Sequence, residues 1–342
     1  MLKLPHPDQG DFHNFGKKVV FDDNLFFIKP RSVFWEQFFF SQNSPLFQIF
    51  KTFSFHEFHF PSLCQLEIQS FHEWSGSSKR ISKENLNQEV QAWGFGSLLA
   101  YAYVFGLYDL HRENCIPTLN GLQVIDLEMA FGAMILPHES LLLPFKDFDA
   151  KMSALQLLQD ENLVIDDDFT EKNIASFVSF LEFTEIHRLQ IEKALSETNF
   201  SQVPNRLIFR DSKKYSNYLH SKEPIDDLIP EEIEQLNRKD LPYFFRYEND
   251  PAVYYWQHED HQKAIAKIPD SFLPLLKRFP CKKYVEIFQG REILRALIPH
   301  GVLYLAYFFK PQRTLTFSKH SKLEKIGQNK YKFKFQDSVF LS

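Results

Sequence analysis

Cysteine is scarce in this chain: three in 342 residues, at Cys64, Cys115 and Cys281. An odd, widely spaced set supplies neither a disulfide framework nor the spacing of a zinc site. No apolar run reaches the roughly 18 residues that a membrane-spanning helix needs. Met1 to Gly10 lacks the apolar centre of a signal peptide. A basic excess is missing as well, since 39 Lys and Arg stand against 44 Asp and Glu, a net charge of -5. Nucleic-acid binders need a basic face to displace counterions, so that class is not expected. No internal repeat or low-complexity tract is present. The expectation is a soluble, cytoplasmic, reduced protein with no membrane span.

Phenylalanine is what the chain has in excess: 38 residues, in runs such as Phe38-Phe39-Phe40 and Phe53 to Phe60, beside only 11 glycines. The plain reading is an aromatic-rich core. A groove for a peptide or a lipid is the sharper one. At 44% hydrophobic and 24% charged, the chain has an ordinary globular balance and enough length for two lobes.

Lys18 to Phe21, then Asp22-Asp23-Asn24, then Leu25 to Ile28 read as a β-hairpin, with Lys29 at the end of its second strand. Pro30 stops that strand, and Phe34 to Phe40 reads as helical. Ser75 to Lys83 reads as a polar loop between lobes, with Ser82 as an N-cap. The following helix would carry Leu86, Val90, Trp93, Ser97, Leu98, Tyr101 and Phe105 on one stripe and end near Gly106, with Gly94 and Gly96 marking close packing. Asn120-Gly121 is a hairpin signal before a strand Leu122 to Ile125 that ends at Asp126. Asn173 to Leu195 reads as one amphipathic helix whose core face includes Ile186 and Leu189, and Lys330 to Leu341 as a strand.

The segment with the most chemical content is Asp109-Leu-His-Arg-Glu-Asn114, followed twelve residues later by Ile125-Asp126-Leu127-Glu128. An Asp, an Asn five residues on and an Asp at a strand end are the parts of a phosphotransferase. The first orients or deprotonates an attacking hydroxyl, and the other two hold magnesium on nucleotide phosphates. A strand-end lysine would neutralise phosphate charge, and Lys29 has that position. The structural alternative is a polar loop that satisfies its own backbone. His258-Glu-Asp-His261 and His56-Glu-Phe-His59 lack the H-E-x-x-H zinc spacing. The first reads as exposed helix charge, the second as strand or loop.

Several motifs, taken in order, resemble the dehydratase domain of class II lanthipeptide synthetases, the LanM family. Gly10-Asp11-Phe12-His13-Asn14-Phe15-Gly16 is similar to that family's G-D-x-H-x-x-G. Phe27 to Ser32 is similar to Y-K-P-R-S, Leu107 to Asn114 to t-D-L-H-x-x-N, and Val124 to Glu128 to v-I-D-L-E. Arg206 to Tyr215 resembles R-x-x-x-R-x-T-x-x-Y, and Glu234 to Phe244 resembles L-x-x-G-D-I-P-Y-F. The resemblance covers about residues 9 to 250 and leaves 251–342 without a placed motif.

The resemblance implies an α+β, two-lobed kinase-like fold similar to lipid kinases. A small strand-rich N-lobe would span 1–80, and a larger, mainly helical C-lobe 81–342. It implies ATP- and Mg2+-dependent phosphorylation of Ser or Thr in a precursor peptide or protein, then elimination of the phosphate. Lys29 and Arg31 would contact the nucleotide. Asp109 would act on the hydroxyl with His111 beside it, Asn114 and Asp126 would hold Mg2+, and Glu128 would support that site. Asp11, His13, Arg206 and Ser212 match the elimination set, with Ser212 where the family usually has Thr. The three cysteines do not match the ligand set of that family's zinc cyclase, so a stand-alone dehydratase is expected, with a separate cyclase or other modifying enzyme as its partner. A kinase without the lyase step, acting on a protein, lipid or small molecule, and a non-catalytic binding protein are the competing expectations.

Overall fold

The computed structural model describes residues 15, 17, 19–21, 26–53, 68–72, 75–79, 83, 84, 86–144, 150–221, 223–258, 261–318 and 321–342. The fold is mixed α+β with small antiparallel sheets. In chain order it begins β1 (Val20–Phe21), β2 (Phe26–Lys29), α1 (Phe34–Phe40), α2 (Pro45–Phe53), β3 (Ile68–His72), β4 (Ser75–Lys79) and α3 (Gln88–Phe105). It continues with β5 (Cys115–Thr118), β6 (Gly121–Val124), α4 (Ala154–Asp160), α5 (Asp167–Ile186), α6 (Arg188–Glu197), β7 (Asn205–Leu207) and α7 (Ser212–Ser221). Then follow α8 (Pro230–Asn237), β8 (Phe244–Arg246), β9 (Tyr254–His258), β10 (His261–Ala264), α9 (Leu273–Arg278) and α10 (Tyr284–Gln289). The chain closes with α11 (Ile298–Phe309), β11 (Leu315–Ser318), β12 (Ser321–Gly327), β13 (Lys330–Phe335) and β14 (Ser338–Leu341). Among the described residues no helix is long and apolar enough to cross a membrane.

Two compact units form, and neither is a continuous stretch of chain. The first comprises Met1–Trp35, Glu67–Arg80 and Asn199–Lys283. The second comprises Glu36–Leu66, Ile81–Thr198 and Tyr284–Ser342. The expected division into 1–80 and 81–342 therefore differs from the observed one. Arg206 and Ser212, expected with Asp109, belong instead to the unit that contains Lys29.

In the first unit, β1 and β2 pair antiparallel with Val20 opposite Ile28, as the hairpin reading expected; its turn lies outside the described residues. The polar run Ser75–Lys79, read as a loop, is instead β4, an inner strand between β2 and β3. Its serines and glycine carry little strand preference, so pairing on both edges forms the strand rather than propensity. Its glycine also has a packing role: a Cβ on Gly76 would sit 2.1 Å from Val33 Cγ2. A second sheet runs β10-β9-β8-β7. The expected helix around His258 and His261 is the β9–β10 hairpin, with those two residues paired across it. Residues 56–59 lie outside the described residues.

The second unit is built on α3 packed against α5. The N-cap of α3 is Asn87, not Ser82: its Oδ1 accepts the N–H groups of Glu89 and Val90 at 3.1 and 3.2 Å. The helix ends as expected at Gly106, which has φ 58° and gives its N–H to the Ala102 carbonyl. Close packing at Gly96 is real, since a Cβ there would lie 2.1 Å from the Asn173 carbonyl oxygen. Phe95 to Phe105 is buried without a break, so α3 is central rather than amphipathic. Phe39, Phe40, Phe50 and Phe180 surround Tyr101, whose hydroxyl donates to the Phe39 carbonyl at 2.8 Å. The run Phe38-Phe39-Phe40 is thus core, each ring contributing about 1.5–3 kcal/mol by burial. The single helix expected over 173–195 is two, α5 and α6, broken at His187. The break shifts the helical phase, leaving Ile186 and Leu189 exposed rather than in the core. The strand expected over 330–341 is the pair β13 and β14.

Candidate active site

Asp109 lies between two residues whose backbones are fixed. Tyr108 N–H bonds the Met129 carbonyl at 3.1 Å, and Leu110 N–H bonds the Ser140 carbonyl at 2.8 Å. Asp109 itself has φ 66°, the left-handed conformation that Asp tolerates better than most residues. That turn directs its carbonyl toward Asn114, whose Nδ2 donates to it at 2.7 Å. The bond fixes which end of the Asn114 amide is which, and Oδ1 becomes the end that faces away from Asp109 O.

His111 caps the short 3-10 turn Arg112–Asn114, its Nδ1 accepting from Glu113 N–H at 3.2 Å. In the neutral ring the proton is then on Nε2, which lies 3.6 Å from Asp109 Oδ1. The 3.3 Å approach of Asn114 Nδ2 to the same nitrogen is a contact between two N–H groups. Arg112 points elsewhere, to Asp160 at 3.0 Å and the Lys151 carbonyl at 2.9 Å.

The hairpin β5–β6 brings Asp126 to this loop. Cys115 pairs with Val124, and the ladder gains one further rung, Ile125 N–H to the Asn114 carbonyl at 2.9 Å. Asp126 is the next residue. Beyond it the chain runs beside the end of α3, with Phe131 N–H on the Phe105 carbonyl and Gly132 N–H on the Gly106 carbonyl at 2.9 and 3.0 Å. Burial pushes the Cys115 thiol well up, and the nearby Asp109 carboxylate adds to the shift.

Three further residues hold the segment after Glu128. Tyr108 donates to the Ala133 carbonyl at 3.1 Å and to Glu139 at 3.0 Å. Tyr103 donates to the Ile135 carbonyl at 2.7 Å. Arg291 donates to the carbonyls of Gly132 and Met134. Burial lowers the Arg291 pKa, and its neighbours Tyr108, Tyr103 and Glu139 work against that shift. Arg291 was not among the expected site residues: about 160 residues separate it from the carbonyls it meets, and no local pattern marks such a contact.

Magnesium requires hard oxygen ligands and commonly keeps waters and substrate phosphates in its shell. Asn114 Oδ1 and the Asp126 carboxylate fit that set. Among the described residues no group of three or more His, Cys, Asp or Glu stands ready for a metal.

The other expected residues belong to the first unit. Lys29 ends β2 opposite Gly76 and is 5% exposed. Arg31 is also buried. Arg206 lies in β7 opposite Phe245 and stacks over the Tyr243 ring at 5.1 Å. Ser212 is the exposed first residue of α7. Asp11 and His13 lie outside the described residues, but Phe15 of the same motif does not. Its N–H bonds buried Asp240 at 2.9 Å, and the Arg238 guanidinium covers its ring at 4.4 Å. Phe15 also packs on the cluster of Tyr243, Phe245 and Trp256. Two motifs far apart in sequence, 10–16 and 234–244, therefore meet beside Arg206.

The motif 206–215 divides in two. Arg210 Nε bonds Glu232 at 2.8 Å, and the Tyr215 hydroxyl donates to the same carboxylate oxygen. The other oxygen accepts Ile229 N–H at 2.9 Å. Arg210 and Tyr215 are thus engaged in holding a fully buried acid.

No protein-family model matches the chain, and no curated protein matches it either.

Proposed function

We propose that the protein is an ATP-dependent Ser/Thr dehydratase of the lanthipeptide type, with a kinase-like fold, acting on a peptide or protein substrate by phosphorylation and then elimination. The observation that carries the reading is the loop 109–114. The left-handed turn at Asp109 and the Asn114 amide bond set both residues on one loop with a fixed backbone, with Asp126 one residue beyond the rung at Ile125.

In the first step Asp109 accepts the proton of the substrate hydroxyl while that oxygen bonds to the γ-phosphorus of ATP and ADP leaves. The Nε2 proton of His111 steadies the Asp109 carboxylate. Asn114 and Asp126 are the residues that would hold Mg2+, with Glu128 supporting them; the ion, when bound, neutralises charge on the phosphate oxygens. Lys29 and Arg31 contact the nucleotide phosphates. In the second step a base from the Asp11 and His13 segment takes the α-proton and the phosphate leaves as the double bond forms. Arg206 receives the departing dianion, and Ser212 donates a hydrogen bond to it.

The test is mass spectrometry of candidate Ser- and Thr-containing peptides after incubation with ATP and Mg2+. The expected product has lost one water per modified residue, and Arg206→Met is expected to accumulate the phosphopeptide. A stable phosphopeptide from the unaltered protein would make it a kinase without lyase activity. Absence of ATP turnover and nucleotide binding would leave only a binding role.

A further inference from the structure

Residues 310–342 carry eight Lys or Arg and two Asp or Glu, a local charge of +6 in a chain whose net charge is -5. These residues form the sheet β11-β12-β13-β14, which belongs to the same unit as Asp109. One face of the sheet is core: Leu315, Leu323, Tyr331, Phe333 and Phe335 are buried. The registers Lys322↔Lys334, Glu324↔Lys332, Lys334↔Val339 and Lys332↔Leu341 put all six residues on the other face. Glu324 is bonded to Lys322 at 2.8 Å and lies 3.8 Å from Lys332. One acid is thus set among three lysines, and its pKa is lowered first by the Lys322 bond and then by the other lysines. The outer face keeps an excess of two positive charges beside Val339 and Leu341, which are 54% and 65% exposed.

β14 is also an edge. Among the described residues only β13 pairs with it. Ser342 N–H bonds the Tyr331 carbonyl at 3.0 Å, so by alternation Phe340 and Ser338 also face β13. The N–H and C=O groups of Val339 and Leu341 point away from the sheet. An edge of this kind is a template for one more strand.

We infer that the β14 edge and its lysine face dock an extended acidic segment of the peptide substrate, at residues other than those modified. The added strand takes its main-chain bonds from Val339 and Leu341. Its acidic side chains face Lys332 and Lys334, and charge complementarity selects it. The identity of the bound peptide as substrate rests on the function proposed above; the docking surface itself does not.

The experiment uses a fluorescent peptide of alternating Glu and Val, read by anisotropy at low and high salt. The parent is expected to bind it and to lose affinity with salt. Lys332→Glu with Lys334→Glu should weaken binding by roughly tenfold or more. Val339→Pro removes one outward N–H without touching the ladder to β13, and should weaken binding at unchanged salt slope. A thermal melt of each variant verifies the fold. No binding by the parent, or binding indifferent to Val339→Pro, overturns the inference. So does preferential binding to phosphatidylserine vesicles, which would make the face a membrane contact. Mass analysis of an acidic Ser-containing peptide separates the two readings. Binding without any phosphorylated or dehydrated product defeats the proposed function and the substrate assignment while the edge docking stands. Modification that is equally fast in the charge-reversed variant defeats the docking alone.

Discussion

In the loop 107–114, polar side chains turn toward one another on a backbone held by its neighbours. In the segment 206–215, by contrast, Arg210 and Tyr215 converge on Glu232, a carboxylate with no exposure. Both stretches are dense in polar residues, and in sequence they look equally suited to chemistry. The difference is where the hydrogen-bonding capacity goes. A buried carboxylate already bonded to an arginine, a tyrosine and a backbone N–H is committed to the fold. Asp109 is 25% exposed in its side chain, its carboxylate lies beside His111, and its backbone carbonyl accepts the Asn114 amide. A motif can thus contain residues that hold the frame, and the bonds identify them.

Substitutions can break this comparison. Asp109→Asn keeps the left-handed backbone and removes the base, so ATP-dependent product formation should fall by about 10²–10⁴-fold with the melting temperature unchanged. A large stability loss instead would make the loop structural. Glu232→Ala should do the reverse. It strands Arg210 and the Tyr215 hydroxyl and should cost about 3–5 kcal/mol, read from the urea midpoint. Full stability with lost activity would move Glu232 into the chemistry and erase the contrast.

Smaller changes sharpen it by probing the helix that carries the loop. Gly96→Ala drives a Cβ into the Asn173 carbonyl and should cost about 1–3 kcal/mol, since backbone rather than a flexible side chain must yield. Denaturant titration would give the value, and a neutral result would mean that α3 and α5 can separate at low cost. Asn87→Ala removes the cap at the other end of α3 and should cost about 1 kcal/mol by the same titration, with product formation unchanged.

What could be read in the sequence was what short-range chemistry decides. Asn120-Gly121 marks the β5–β6 turn, and Gly106 marks the end of α3, because each supplies a backbone conformation that few residues adopt. The backbones of Asp109, Asn114 and Asp126 come together because loop and hairpin are adjacent in the chain. The rest depended on distant partners. Ser75–Lys79 has the composition of a loop and becomes a strand only because β2 and β3 flank it. Ser82 has a cap's chemistry, but it is Asn87 that accepts the Glu89 and Val90 N–H groups at the start of α3. His187 breaks one apolar pattern into two helices with no proline or glycine to announce it. Arg291 and Glu232 show themselves only when the contacts are seen.

The interleaving of the two units has a consequence for how the protein is made. The first unit needs chain from residue 1 to Lys283, and the second resumes at Tyr284 and runs to the end. During synthesis at about 5–20 residues per second, the first unit is complete in chain only at Lys283, and the second only once Tyr284–Ser342 follows. β1 to β4 must persist for more than a hundred residues before Asn199–Lys283 emerges to complete their unit. Such long-range closure slows folding and exposes apolar surface in the interim. A nascent chain stalled near Lys283 would carry a complete first unit and a second without α11 and its terminal sheet. The second unit therefore closes only after the first, once α11 and the sheet β11–β14 have emerged.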